Sequence, residues 1–190
     1  MKYHAIILIG PQGSGKGTQA EFLKQATGFH LWIMGQVLRD MHGQTDELSV
    51  QITKMHDSGT LVPDNLLIEV VKQKINQLEV HKGIIFDGVP RRLGQAKFLL
   101  DFLKEKNIIS VATVFIDVPR NVTFERLSLR AAKEGRADDT PEKIEFRLKQ
   151  YEGDTLPVLD YLKQVTDFFA INGDQSIEDV RKEIFKKLEL

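Results

Sequence analysis

Residues 10–18 read G-P-Q-G-S-G-K-G-T and follow directly after the apolar run 3–9. Glycines in such a loop let backbone N–H groups point inward at an anion, and the helix that follows adds its positive end. Lys16 lies where a lysine reaches the outer phosphates of a nucleoside triphosphate, whereas Gly17 stands where Ser or Thr commonly binds Mg²⁺, with Thr18 one residue later. The alternative is a glycine-rich turn without a ligand, but the strand, lysine and helix context favours a phosphate-binding loop.

A single acidic residue, Asp87, ends the apolar stretch I-I-F-D at 84–87. If that stretch is a parallel strand, Asp87 lies at the same sheet edge as the glycine-rich loop, where such sheets bind ligands. A carboxylate there can hold Mg²⁺ through the water molecules of the ion. The alternative is a buried carboxylate that only accepts hydrogen bonds from a loop. Gly88 then permits close backbone approach, and Arg91 supplies a planar, two-pronged donor.

Arginines recur at positions that the predicted sheet edge would bring together. They are Arg39, Arg91, Arg126, Arg130, Arg136 and Arg147. Taken singly, a surface arginine is usually a solvated charge. A phosphoryl group in transfer spreads negative charge over its oxygens, so catalysis needs positioning and cationic stabilisation more than covalent chemistry. One lysine, Mg²⁺ and several arginines therefore predict phosphoryl transfer between two anionic substrates. A hydrolase would need a group that orients water, for which Gln12 and Gln95 are the only candidates.

Composition sets limits on partners and compartment. The 190 residues fit one domain with an ample core, and 26 basic against 27 acidic residues give a net charge of −1. This balance argues against nucleic acid or a membrane surface as a partner. Without cysteine there is no disulfide or thiolate zinc site, and the five histidines show no ligand spacing. With no apolar run of about 20 residues and no signal-peptide pattern, we expect a cytoplasmic protein.

Short apolar runs alternate with stretches of helical period along the whole chain. The predicted strands are 3–9, 29–33, 83–87, 111–117 and 167–171, and the predicted helices are 16–27, 35–42, 48–58, 63–78, 94–106, 120–133, 141–164 and 177–188. Strand and helix alternation predicts an α/β fold with a doubly wound sheet of about five parallel strands flanked by helices. Two segments, 34–65 and 131–140, look like inserts at the binding edge.

Four sequence strings in the same order resemble the adenylate kinases within the nucleoside monophosphate kinase family. They are G-P-Q-G-S-G-K-G-T-Q-A (10–20), M-H-D-S-G-T-L-V-P-D (55–64), F-D-G-V-P-R-R-L-G-Q-A (86–96) and R-A-D-D (136–139). The resemblance implies the reaction ATP + AMP ⇌ 2 ADP with Mg²⁺, carried out by a monomer. It also implies one P-loop kinase domain with a core (1–33, 66–130 and 141–190), a helical monophosphate-binding insert (34–65) and a short lid (131–140) without zinc.

The resemblance assigns roles residue by residue. The catalytic set would be Lys16, Asp87, Arg91, Arg130, Arg136 and Arg147. ATP would be held by Gly13, Ser14, Gly15, Lys16, Gly17, Thr18, Arg126, Arg136 and Gln175, with Arg126 beside the adenine. AMP would be held by Met34, Gly35, Arg39, Leu61, Val62, Gly88, Arg91, Gln95, Arg136 and Arg147. Within this last set Arg39 and Arg91 would bind the phosphate, and Gln95 together with the backbone near Val62 would recognise the adenine.

One departure from the family pattern concerns the monophosphate site. Where the family usually reads S-T-G-D, residues 33–36 read I-M-G-Q, so two hydroxyls and an acid are replaced. We therefore expect a helix near Gly35 without a side-chain cap, and apolar contact from Met34 in place of a hydrogen bond. Val89, where an aromatic residue is common, also changes the pocket. The alternatives are a UMP/CMP or other monophosphate kinase, which Gln95 disfavours, and a catalytically weak nucleotide-binding module.

Overall fold

The computed structural model describes residues 1–57, 62–75, 82–134 and 140–190. The strands of this part of the chain are β1 (Ala5–Ile9), β2 (His30–Ile33), β3 (Ile84–Asp87), β4 (Val111–Asp117) and β5 (Asp167–Asn172). Its helices are α1 (Lys16–Thr27), α2 (Met34–Asp40), α3 (Glu47–Asp57), α4 (Asp64–Ile75), α5 (Leu93–Glu105), α6 (Arg120–Glu134), α7 (Pro141–Gln150), α8 (Leu156–Val165) and α9 (Ile177–Leu188), and a π-helical turn (Tyr151–Thr155) joins α7 to α8.

The five strands form one parallel sheet in the order β2-β3-β1-β4-β5. Strand β1 is central, and Leu8 pairs with Asp87 of β3 on one side and with Val114 of β4 on the other. The chain first adds β2 and β3 on one side of β1 and then adds β4 and β5 on the other side. The strand order therefore changes direction next to β1, and open α/β sheets bind ligands at such a point. The predicted doubly wound α/β fold is confirmed.

The sheet is buried on both faces, which explains its apolar strands. All five residues of β1 are buried. Ala5, Ile7 and Ile9 pack into one core cluster together with residues of α4 and α5, whereas Ile6 and Leu8 pack into a second cluster together with residues of α1 and α9. The alternation places β1 between two apolar layers and leaves its carboxyl end at the edge of the core.

One predicted helix, 141–164, was wrong in its continuity. The structure divides it into α7, the π-helical turn and α8. Pro157 explains the break because it has no backbone N–H for the carbonyl of residue 153, so regular i→i−4 bonding cannot pass through this point. The other helices and strands agree with their predicted positions to within about three residues, apart from the predicted ends at 58 and 78, which lie outside the described part.

The two predicted inserts are only partly described. Helices α2 and α3 lie within residues 34–57 and contact each other, whereas residues 58–61 and 135–139 lie outside the described residues. The division into core, insert and lid therefore stays a prediction. Within the described ranges, no helix combines the length and the apolar character needed to cross a bilayer.

Candidate active site

The loop after β1 presents free backbone donors at the start of α1. Gly15 caps the helix with φ of 91°, a left-handed conformation that glycine adopts without strain. No side chain caps this helix and no acidic residue lies in its first turn. The first N–H groups of a helix have no partner within it, so this end of α1 offers donors and a positive dipole to an anion. Gly17 and Thr18 in this first turn are exposed.

Lys16 is folded back onto the loop. Its Nζ donates to the backbone oxygens of Gly10 at 2.8 Å and Pro11 at 2.7 Å, and to Ser14 Oγ at 3.3 Å. Burial lowers the pKa of Lys16 to about 8, and although the nearby Asp87 carboxylate favours the charged form, Arg91 and Arg130 oppose it. The ammonium group is thus bonded to neutral acceptors and lies near other cations, so its charged form is disfavoured. A bound phosphate would favour the charged form instead.

The predicted catalytic groups that the structure describes come together around Lys16. Arg91 is close enough to both Asp87 and Arg147 for their charges to act on it, and burial lowers the pKa of its guanidinium. Arg91 Nε also donates to the backbone oxygen of Gly88 at 3.0 Å, which directs the side chain back towards β3. Arg130 joins this group through its effect on Lys16. Arg136, assigned to the same group, lies outside the described residues.

Of these groups, Lys16 and Arg91 line a cavity that opens to solvent. Its lining includes Lys16, Gly88 and Arg91, three of the predicted site residues, and also Tyr151 and Thr155 of the π-helical turn. Neither of these last two was predicted. Gln12, considered from sequence only as a group that could orient water, lines it as well. The sequence signal that could have found the turn is the pair of helix-disfavouring residues, Gly153 and Pro157, inside one predicted helix.

Two polar atoms of this lining have no hydrogen-bond partner among the residues that the structure describes. They are Tyr151 Oη and Gln12 Oε1, both fully buried. Burial raises the pKa of the Tyr151 hydroxyl, and the carboxylates of Asp117 and Glu152 raise it further, so it stays protonated and can donate. Thr155 Oγ1, by contrast, donates to the backbone oxygen of Arg91 at 3.1 Å and ties the turn to the site.

The predicted monophosphate residues lie on the β2–β3 side of the cavity. A Cβ placed on Gly88 would lie 3.5 Å from Arg91 Nη2 and 3.6 Å from Met34 Cβ, and one placed on Gly35 would lie 3.4 Å from Arg39 Nη1. Arg39 is exposed and its Nη2 donates to Gln36 Oε1 at 2.8 Å. Met34 is 2% exposed and belongs to the apolar core. This side of the site therefore offers two guanidinium groups next to small or apolar residues.

Helix α2 begins without a side-chain cap, as expected. Its N-cap is Ile33, an extended residue that forms no cap hydrogen bond, and the helix starts at Met34. Val62 is buried, whereas Leu61 lies outside the described residues. Gln95 is 1% exposed at the start of α5, and its amide bonds both to the backbone of Arg91 and to Asp64.

Arg126, assigned to the ATP adenine, and Gln175, assigned to ATP, both bond to the chain at the end of β5 and the loop after it, on the other side of the sheet from β2. Arg126 Nη1 donates to the backbone oxygen of Gly173 at 3.0 Å, and its Nη2 lies 3.8 Å from Asp174 Oδ1. Gln175 Nε2 donates to the backbone oxygen of Asn172 at 2.8 Å and to Glu183 Oε2 at 2.9 Å. Arg126 of α6 is thus fixed beside the loop that carries Gln175, which leaves the planar face of its guanidinium as a surface on which a base could stack.

A metal-binding cage of protein ligands is not found in the described ranges, where no three His, Cys, Asp or Glu side chains group together. The Asp87 carboxylate lies beside the phosphate loop, since its Oδ2 is 3.7 Å from where a Cβ on Gly17 would be. A single carboxylate beside a phosphate loop fits an ion that arrives with its nucleotide and keeps most of its waters.

Comparison with known proteins identifies relatives over nearly the whole chain. The sequence model of one family, described as adenylate kinase, matches residues 8–167. A protein of Cyanothece sp. named adenylate kinase is 40% identical over 179 residues, which cover 94% of this chain and 92% of the relative. Adenylate kinases of Leptospira biflexa and Bifidobacterium longum are 36% and 35% identical and cover 96% and 97% of this chain, with 98% and 99% of their own lengths.

Proposed function

The chain belongs to the adenylate kinase family and is an ATP:AMP phosphotransferase, and we propose that the residues around the cavity carry the transfer in the roles given below. In the reaction, an oxygen of the AMP phosphate forms a bond to the terminal phosphorus of ATP while the bond from that phosphorus to the bridging oxygen breaks, which gives two ADP. The observation that carries the assignment is that Lys16 and Arg91 line one cavity. The charges of Asp87, Arg130 and Arg147 lie close enough to act on these two side chains.

The triphosphate binds at the loop and the start of α1. Backbone N–H groups of Gly13, Ser14, Gly15, Gly17 and Thr18 hold the phosphate oxygens, and Lys16 exchanges its carbonyl partners for the outer phosphates. The exchange is favourable because a charge-assisted bond to phosphate is stronger than a bond to a neutral carbonyl. Arg126 flanks the adenine and Gln175 completes this side of the site.

The monophosphate binds on the β2–β3 side. Arg39 and Arg91 hold its phosphate, and Arg130, Arg136 and Arg147 stabilise the charge on the phosphoryl group in transit. Gln95 and the backbone at Leu61 and Val62 read the adenine, while Met34, Gly35 and Gly88 shape the pocket around it. The positive charge at the cavity keeps the two anionic substrates together, which is most of what this reaction requires.

Mg²⁺ arriving with ATP would neutralise part of the charge on the phosphates. Asp87 is the residue that would hold it, by accepting hydrogen bonds from its waters, and Gly17 leaves space next to that carboxylate. The net charge of −1 supports a protein without nucleic-acid or membrane partners, and we propose that it acts as a monomer in the cytoplasm without structural zinc.

Arg91 and its sequence neighbour Arg92 provide a matched test. Arg91 borders the cavity, whereas Arg92 pairs with Asp154 at 3.6 Å outside it. We expect Arg91→Ala to raise the Kd for AMP by tenfold or more, since a charge-assisted bond contributes about 1.5–3 kcal/mol, and Arg92→Ala to change it less than threefold. AMP titrations of both variants decide this. Equal AMP affinity in Arg91→Ala and the parent would contradict the assignment.

A further inference from the structure

The side-chain amide of Gln95 is held at both ends by groups of fixed polarity. Its Oε1 accepts from the backbone N–H of Arg91 at 2.8 Å, and its Nε2 donates to Asp64 Oδ1 at 3.0 Å. A backbone N–H can only donate and a carboxylate oxygen accepts. If the amide turned over, its oxygen would face the carboxylate and its NH₂ would face the N–H. Because Gln95 is 1% exposed, water could not compensate, so a single amide orientation is allowed.

The Asp64 carboxylate is itself held in place by α5. Asp64 is the first residue of α4, and its Oδ2 lies 2.5 Å from the point where a Cβ on Gly94 would be. A side chain of any size at position 94 would push the carboxylate away. Glycine is unfavourable in a helix by about 1 kcal/mol relative to alanine, so its presence in the first turn of α5 agrees with a need for this close approach.

We propose that Asp64 is a positioning residue that determines which purine the monophosphate site accepts, an inference that rests on the proposed role of Gln95 as reader of the base. With its orientation fixed, the Gln95 amide has one N–H and one oxygen lone pair left, in a defined order. Adenine presents the 6-amino donor beside the N1 acceptor. Hypoxanthine has the same shape but presents an O6 acceptor beside an N1–H donor. An amide in the order that fits adenine therefore meets hypoxanthine with donor against donor and acceptor against acceptor.

The selectivity follows from Asp64 because it supplies one of the two constraints on the amide. The other constraint, the N–H of Arg91, belongs to the backbone and is the same for every side chain at that position. Without a carboxylate at position 64, the NH₂ end of Gln95 has no obligatory acceptor, and the reversed orientation is penalised at one end only, where its NH₂ meets the N–H of Arg91. The site then discriminates less between adenine and hypoxanthine, because the Gln95 amide can turn to match hypoxanthine and fewer polar groups are left unpaired.

The test compares AMP and inosine monophosphate (IMP) as acceptors in Asp64→Asn. Asparagine has nearly the same shape but can either donate or accept, so it no longer dictates the orientation of Gln95. We expect the ratio of kcat/KM for AMP to kcat/KM for IMP to fall at least fivefold, mainly through KM, with kcat at saturating AMP within about threefold of the parent. Glu69→Gln is the matched control on the same helix, an exposed carboxylate that bonds to Gln73. It should leave the ratio unchanged.

A second variant acts on Asp64 without removing its charge. Gly94→Ala places a methyl group where the Asp64 carboxylate lies and should lower the AMP/IMP ratio in the same direction, while its better helix propensity preserves the fold. In Gln95→Leu the ratio should collapse, and adding Asp64→Asn to it should change nothing further. If Asp64→Asn lowers kcat/KM for both acceptors by the same factor, Asp64 has only a structural role and the inference is wrong.

The two possible failures can be told apart. If Gln95→Leu collapses the ratio and Asp64→Asn and Gly94→Ala do not, the proposed reading of the base stands and the role of Asp64 is refuted. If the AMP/IMP ratio of Gln95→Leu equals that of the parent, Gln95 does not read the base. The role of Asp64 is then refuted together with that part of the proposed function.

Discussion

Lys16 should take up a proton when ATP binds at alkaline pH. Its pKa of about 8 lies well below the ordinary 10.5 because the group is buried among Arg91 and Arg130, with only the Asp87 carboxylate opposing them. A phosphate next to Nζ favours the charged form and returns the pKa towards or above its ordinary value. Between these two pKa values the free protein has lost the proton and the complex holds it.

The expected size follows from the pKa of the free protein. With a pKa of about 8, the fraction of Lys16 that is unprotonated is about 0.1 at pH 7, about 0.5 at pH 8 and about 0.9 at pH 9. The number of protons taken up per ATP bound should therefore rise from about 0.1 at pH 7 to about 0.9 at pH 9. ATP affinity should fall about tenfold from pH 7 to pH 9, since binding must then recharge the lysine.

Isothermal titration calorimetry measures this uptake when ATP is titrated in buffers of different ionisation enthalpy at each pH. Lys16→Met keeps a side chain of similar length without the titrating group, so the difference between parent and variant isolates Lys16 from every other group. If the parent takes up no more protons than Lys16→Met at pH 9, the lysine does not pass from a buried, partly neutral state to a phosphate-bound charged one.

Other expectations concern stability and metal. Because the pKa of Lys16 is lowered in the folded state, its charged form destabilises the free protein below about pH 8, and this penalty disappears as the pH rises to 10.5. Lys16→Met should therefore raise the free energy of unfolding by about 1–3 kcal/mol at pH 7 and leave it unchanged at pH 10.5. Urea titration at the two pH values measures both. Tyr151→Phe removes a buried hydroxyl that has no partner in the described part of the chain, and it should raise the free energy of unfolding of the free protein by about 1 kcal/mol in the same assay. A loss of stability would show that the hydroxyl is satisfied. Chelation should abolish turnover and Mg²⁺ restore it, whereas removal of zinc should leave the melting temperature unchanged; stoichiometric zinc in elemental analysis would contradict this.

The sheet and the phosphate loop could be predicted because both have strong local signals. An apolar strand followed by glycines and Lys16 has few other interpretations, and parallel pairing brings Asp87 to the same edge through the register of β1 and β3. The arginines were proposed by combining this edge with the chemistry of phosphate. In the structure Arg91 and Arg130 lie near Lys16, and Arg147 lies near Arg91, while their roles stay a prediction.

What the sequence did not reveal depends on side-chain placement. The period of residues 141–164 is helical, and only Gly153 and Pro157 hint at the π-helical turn that brings Tyr151 and Thr155 to the cavity. The bond between Gln95 and Asp64 joins residues 31 positions apart. No local pattern marks such a contact, because it exists only after α4 and α5 have packed. The inward-folded Lys16 also depends on backbone carbonyls whose directions no residue type specifies.

The most direct test of the account is the rate of phosphoryl transfer in Lys16→Met. The charge of Lys16 should contribute to the transfer and little to the fold, so kcat/KM for ATP with saturating AMP should fall to well under a tenth of the parent value, while the variant unfolds at the same temperature as the parent or higher. Retention of more than about a tenth of kcat/KM would contradict the claim that the phosphate loop and its lysine form the centre of this site.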